Sequence, residues 1–459
     1  MRKIVKYVML IPLVLSLVGC NLQTNNYLGN LNLSYKAYVN EEEIDSKVLG
    51  FYYGYSLIRF VNQYYDAFDI DGFGMVGFEI DTDINALQDQ KCTMEGFEDH
   101  TWEYYFVVKA TEVYQEVEAL YKDATKNGYT ISSEDKSQAQ EAYNNIVTYC
   151  EKNDIEVVDY LYPTFGEGMT EELLTSYYAK VEMSKRYAKT LWIEPTDEQI
   201  ERYYEQYKDD IDTITIRYFA FSKEHQEEAE AFKDAVSSEA DFKELARKYT
   251  EESMKDTYDE NDNSLRSHLQ KEDLPEHLQT ALFEEATAGT VMVVEGSTSY
   301  DVVMLVSREK PTYQQVQVAT IYFDARMHDT DTLTEEKMQA SKTFAEGIWE
   351  AFKAEEDPTL ELFNQYNQLY SDDKNNKGNY DFVSRGDSTK EIEYWLFDED
   401  RQVGDTTVLP SSNGYSILYF RGYGESDYYQ RSKQLAIEKI YEDALTLLKN
   451  NLVIKIEQK

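Results

Sequence analysis

Side chains able to do chemistry are few in this 459-residue chain, and they are scattered. The histidines are His100, His225, His268, His277 and His328, and the cysteines are Cys20, Cys92 and Cys150. None of them stands at metal-ligand spacing, no glycine loop is built to cradle a phosphate, and no nucleophile elbow is present. No cofactor and no metal is therefore expected. The acidic run Asp69, Asp71, Glu79, Asp81 and Asp83 offers the hard oxygens that calcium takes, but the loop lacks the spaced glycine and terminal glutamate of an EF-hand and reads as solvated. His268 and His277 fall in a turn and a short helix, where they read as surface or pocket-rim groups.

One thiol has a defined context. The chain begins with Arg2, Lys3 and Lys6 around an apolar run from Ile4 to Val18, too short to span a bilayer and shaped like a cleavable secretion signal over residues 1–19. Leu17-Val18-Gly19-Cys20 resembles the bacterial lipobox. That resemblance implies acylation of Cys20, a lipid bilayer as partner, and a protein held on the extracytoplasmic side of a bacterial cell membrane. Residues 20–34, polar and rich in asparagine, read as a tether. Cys92 and Cys150 admit both a disulfide and two free thiols.

With 42% hydrophobic and 29% charged residues the chain has the material for packed domains, two to four of them at this length. The 40 tyrosines, against 20 phenylalanines and 4 tryptophans, suit half-buried cores and adaptable contact surfaces. A formal charge of −42 repels phosphate backbones, which excludes nucleic acid as a partner and argues against docking on anionic lipid through basic residues.

The elements available to position these groups follow from periodicity. Residues 35–212 read as nearly all helix. Asn40 or Asp45 is a possible cap of the first helix, Ser132 or Ser133 of a later one, and Thr196 opens the last. Two modules of the same plan follow, 213–310 and 311–426, each reading strand, helix, helix, turn, helix, strand. TITIRYFAFS and SYDVVMLVSRE bound the first, QVATIYFDA and GYSILYFRG the second, with Asp241 and Asp357 as expected caps of their second helices. A last helix within 427–459 carries a wide apolar stripe, so it must pack, and the N-terminal helical region is its expected partner. The fold class is multidomain α+β: a helical N-terminal domain and two α/β modules.

ADFKELA, LPEHLQTALF, KGNYDF and GYSILYF in this order resemble the parvulin-type prolyl isomerase domain. Leader, helical region, two modules and terminal helix together resemble the SurA and PrsA group of extracytoplasmic foldases. In that family an apolar pocket grips a proline ring while hydrogen-bonded histidines and an acid stabilise the twisted amide. Carried over by position, the pocket residues of module one are Tyr218, Ser264, His277, Phe283 and Asp301. Those of module two are Thr320, Asn379, Phe382, Ile392, Phe397 and Ser416. The family's strand histidines are absent from both, being replaced by Tyr218 and Asp301 and by Thr320 and Ser416. The resemblance implies a membrane-anchored folding factor that binds unfolded or newly secreted polypeptides, with weak or inactive modules. An active isomerase, with module two as its better-kept site, is the alternative, and a solute-binding or adhesion lipoprotein the second alternative.

Overall fold

The computed structural model describes residues 30–68, 84–255, 258, 262–326, 332–373 and 378–459. The leader, Cys20 and the acidic run from Asp69 to Asp83 lie outside them. Two compact units divide the described chain: one holds Pro195–Ala436, the other the residues up to Glu194 together with Ile437–Lys459. The N-terminal domain read as ending at 212 thus ends earlier, and the segment 195–212 packs with the modules. No described helix is long and apolar enough to cross a membrane.

The unit ending at Glu194 opens with strands β1 (Tyr35–Val39) and β2 (Glu42–Glu43), at the start of the stretch read as nearly all helix. Asn40 and Glu41 turn between them in the left-handed region, so Asn40 is a turn residue, and the Asp45 carboxylate accepts from the Lys47 N–H at 2.9 Å at the head of α1 (Ser46–Phe68). Helices α2 (Trp102–Lys126), α3 (Ser133–Lys152), α4 (Val157–Phe165) and α5 (Glu171–Ala188) follow. Ser132 caps α3 in a reciprocal box with Asp135. The stripe Trp102, Phe106, Ala110, Val113, Val117, Leu120 and Ala124 is buried, as its spacing dictates. Cys92 and Cys150 are buried free thiols in this core.

In the other unit α6 (Asp197–Gln206) begins with a Thr196 capping box, and α7 (Lys208–Ile211) leads into module one. There β3 (Thr213–Ser222), α8 (Gln226–Ala235), α9 (Glu239–Tyr249), β4 (Leu265–Leu269), α10 (Glu276–Thr280), β5 (Val291–Glu295) and β6 (Ser299–Glu309) build an antiparallel sheet of order β4-β3-β6-β5. Module two repeats it: β7 (Gln314–Asp324), α11 (Glu335–Lys353), α12 (Leu360–Tyr370), β8 (Asn379–Val383), α13 (Lys390–Leu396), β9 (Thr406–Ser411) and β10 (Gly414–Ser426), in the order β8-β7-β10-β9. Ser238 and Thr359 cap α9 and α12, not Asp241 and Asp357; a hydroxyl one residue before the helix reaches the third N–H, which the predicted acids are not placed to do.

Each sheet has two cores because side chains alternate across a strand. In module one Ile214, Ile216, Val303 and Leu305 face Leu278, Leu282 and Phe283, while Phe221, Val302 and Met304 face Phe232 and Phe242. The chain ends with α14 (Asp427–Lys449) and β11 (Ile454–Gln458), which pairs with β1, so the terminal helix stops ten residues short of the chain end. Tyr441 and Leu445 pack with Leu120, Met183 and Tyr187, where the apolar stripe was expected to find a partner.

Candidate functional site

Strand parity sets the geometry of module one. Ala220 stands opposite Asp301 and Tyr218 opposite Val303, so Tyr218 and Asp301 sit diagonally on the same face of β3 and β6. Asp301, only 2% exposed, accepts from the Tyr218 phenol at 3.1 Å through one oxygen and from His277 Nε2 at 2.7 Å through the other. Each carboxylate oxygen thereby accepts a hydrogen bond. Desolvation, and then the Asp301 charge, push the Tyr218 phenol up to about 12. Gly296 lies against the imidazole: a Cβ there would stand 2.9 Å from His277 Nε2.

The surroundings are apolar. Leu278, Leu282 and Phe283 are buried on this face, with Met292 and Val294 half-buried beside them. The Arg266 guanidinium lies 3.9 Å from the centre of the Tyr218 ring. Three of the expected module-one residues are thus brought together: Tyr218, His277 and Asp301. Phe283 is a core residue beneath the Arg308 guanidinium. Ser264 is not part of the group; its hydroxyl serves the buried Arg217 at 2.9 Å and the Asp262 carboxylate.

Module two uses the same register to another end. Tyr322 stands opposite Ser416, as Ala220 does opposite Asp301, and Thr320 occupies the place of Tyr218. Val318 pairs with Tyr380 where Ile216 pairs with Arg266, so Tyr380 replaces Arg266, and Asn379 corresponds to Leu265 and not to Ser264. Tyr380 is 5% exposed, its hydroxyl donating to Asp373 at 2.9 Å and lying in hydrogen-bond contact with Thr320. Thr320 and Ser416 are themselves buried, and the Ser416 hydroxyl has no partner among the described residues. Asn379 donates to Asn364 at 3.0 Å, Ile392 is a core residue, and Phe397 packs on Tyr313 and Arg385. Phe382 is exposed. The module's own side chains fill the face.

Sequence reasoning missed Arg266 and Tyr380. Both sit on short edge strands whose register shows only in the folded sheet, although the low hydrophobicity of LRSHL beside NYDFV marks them as unlike. His277 stands at a position read as the family's pocket phenylalanine, and its pairing with Asp301 links a helix to a strand 24 residues on.

Fold and face define a multidomain α+β chain whose first module has a parvulin-type architecture with a hydrogen-bonded polar group on an apolar face. Residues 195–317, which contain that module, match the family model of the PPIC-type PPIASE domain. Among curated proteins no sequence matches the chain. Solved structures similar to it include a peptidylprolyl isomerase PrsA from Bacillus anthracis, 13% identical over 55% of this chain and 94% of that one, with a TM-score of 0.21. A foldase protein PrsA from Streptococcus pneumoniae is 17% identical over 47% of this chain and 77% of that one, TM-score 0.19. PrsA from Bacillus subtilis is 16% identical over the same shares, TM-score 0.17. Module one is thus the part of the chain that matches a parvulin-type domain.

Proposed function

We propose that the chain is a lipid-anchored extracytoplasmic folding factor that binds unfolded or newly secreted polypeptides, with the proline site in module one and a filled, non-binding face in module two. The observation that carries this reading is the Tyr218–Asp301–His277 group beside half-buried Met292 and Val294, set against a module-two face occupied by Tyr380. The order of the two modules is the reverse of the one their sequences suggest. The anchor rests on the Leu17–Cys20 motif and the leader before it.

Rotation about a peptide bond meets a barrier of roughly 18–20 kcal/mol because resonance is lost on twisting. A twisted amide has a pyramidal, more basic nitrogen, so apolar walls for the ring and a fixed polar group beside it favour that geometry over the planar one. No covalent bond to the protein is needed. In module one Asp301 uses both oxygens to hold the phenol and the imidazole, which makes it a positioning residue, and it fixes the His277 ring beside the apolar walls.

The mature chain should isomerise a proline tetrapeptide above the uncatalysed rate. His277→Ala and Asp301→Ala should lower kcat/KM by about tenfold or more, the size of a lost hydrogen bond to a charged group. Tyr380→Phe should leave the rate alone. A wild-type rate equal to buffer would sink the isomerase site, and failure to slow aggregation of an unfolded client would sink the folding-factor reading.

A further inference from the structure

Arg266 is the one member of the module-one face that the proposed chemistry does not use. It is exposed on edge strand β4, opposite Ile216, with its guanidinium over the Tyr218 ring at 3.9 Å. In a chain with 87 acidic and 45 basic residues, this guanidinium has neither an ion pair nor a hydrogen bond among the described residues. Its neighbours in the group form no ion pair with it. Asp301 is spent on Tyr218 and His277, and the phenol is uncharged at neutral pH. Glu295, on the other edge strand of the sheet, is paired with Lys223 at 2.6 Å. The rim of the site therefore carries one unpaired, exposed guanidinium, stacked on Tyr218, within a strongly negative molecule. Stacking on an aromatic face restrains an arginine without using its five N–H donors, which remain free for a planar acceptor.

We infer that Arg266 is a specificity residue, selecting client segments that carry a carboxylate side chain next to the proline. This rests on module one being the proline-binding site. The two modules differ at this position: the equivalent Tyr380 is buried, whereas Arg266 is exposed and charged. Against the overall charge, which favours cationic clients at long range, Arg266 offers a carboxylate a direct ion pair at the site.

The test uses the mature full-length chain and three fluorescein-labelled tetrapeptides differing only in the residue before proline: Glu, Ala or Lys. Binding is read by anisotropy, and isomerisation by NMR exchange on the unlabelled peptides. At low ionic strength Glu-Pro should bind roughly fivefold more tightly than Lys-Pro, the size of an exposed ion pair, with the difference in KM and not kcat, and salt should erase it. Arg266→Gln should level the series, Arg266→Glu should invert it, and Arg266→Lys should keep its order; circular dichroism identical to wild type establishes that each variant is folded. Equal binding of the three peptides, or a preference that survives Arg266→Glu, overturns the inference even where all three are isomerised. Absence of isomerisation with the Glu-over-Lys order intact overturns catalysis in module one but supports the charge selection, and absence of binding by any peptide overturns both.

Discussion

Tyr218 does two jobs with one ring: its face carries Arg266, and its hydroxyl supplies one of the two donors that keep the buried Asp301 satisfied. Tyr218→Phe separates them. The stack survives, but one oxygen of a carboxylate that is 2% exposed loses its donor, which costs about 1–3 kcal/mol. A lower urea midpoint for the transition of the module, in the mature chain, is the expected result; an unchanged midpoint would mean that water replaces the phenol. At this scale the sequence is half legible. The period of two in TITIRYFAFS and SYDVVMLVSRE says which residues share a face with Tyr218 and which with Asp301, because parity is a local property of a strand, while the β3–β6 register makes those faces one. That His277 meets Asp301 is not local. It depends on where α10 crosses the sheet and on Gly296 leaving room for the imidazole, and neither has a signature in the residues around His277.

Among the elements, the strongly periodic ones were readable and the short edge strands were not. The inner strands β3, β6, β7 and β10 are long, carry runs of buried residues because both faces of each sheet are covered, and announce themselves. Strands β4, β5, β8 and β9 have five or six residues each and exist because an inner neighbour offers them a ladder. β1 and β11 are harder still, since they pair residues more than 400 positions apart. Helix approach is equally hidden. Gly50 and Gly54, one turn apart in α1, face α4: a Cβ on Gly50 would strike the Phe165 carbonyl oxygen, and one on Gly54 would stand 2.6 Å from the Phe165 ring. In an isolated helix Gly→Ala is stabilising by about 1 kcal/mol. Here the sign reverses, because the new methyl forces two backbones apart. Gly50→Ala should destabilise the helical unit by about 1–3 kcal/mol in urea unfolding followed by far-ultraviolet circular dichroism. A neutral or stabilising outcome would show that α1 and α4 can separate at little cost.

For the molecule as a whole, the question is what an acidic chain does with acids it cannot expose. Where module two meets α14, Gln315 donates to Asp427 at 2.8 Å, Ser384 bonds the same carboxylate, and the Ser384 N–H donates to Asp387 at 2.8 Å. Arg431 lies 3.6 Å from Asp427 and donates to the carbonyls of Asp210 and Ile211 just ahead of β3, so this knot ties the second module to the start of the first. Arg431 faces Asp427, and the acid whose pKa rises is Asp387. Burial chiefly, then the charges of Asp427 and Asp273, raise its pKa to about 6, with the Ser384 N–H pulling the other way. The sign follows from comparison with an unfolded aspartate near about 3.9. A raised pKa means that the folded state holds the proton more tightly, so the contribution is complete below about pH 4 and is lost as pH rises through about 6. Asp387→Asn removes the ionisation and keeps an oxygen for the Ser384 N–H. The variant should therefore exceed wild type in stability above pH 6, by up to about 3 kcal/mol, and the advantage should vanish near pH 4. Urea midpoints measured from pH 4 to pH 8 decide it: a constant offset between the two proteins would place the effect in packing, whereas one that grows through pH 6 assigns it to a carboxylate that the junction between the modules holds against its own charge.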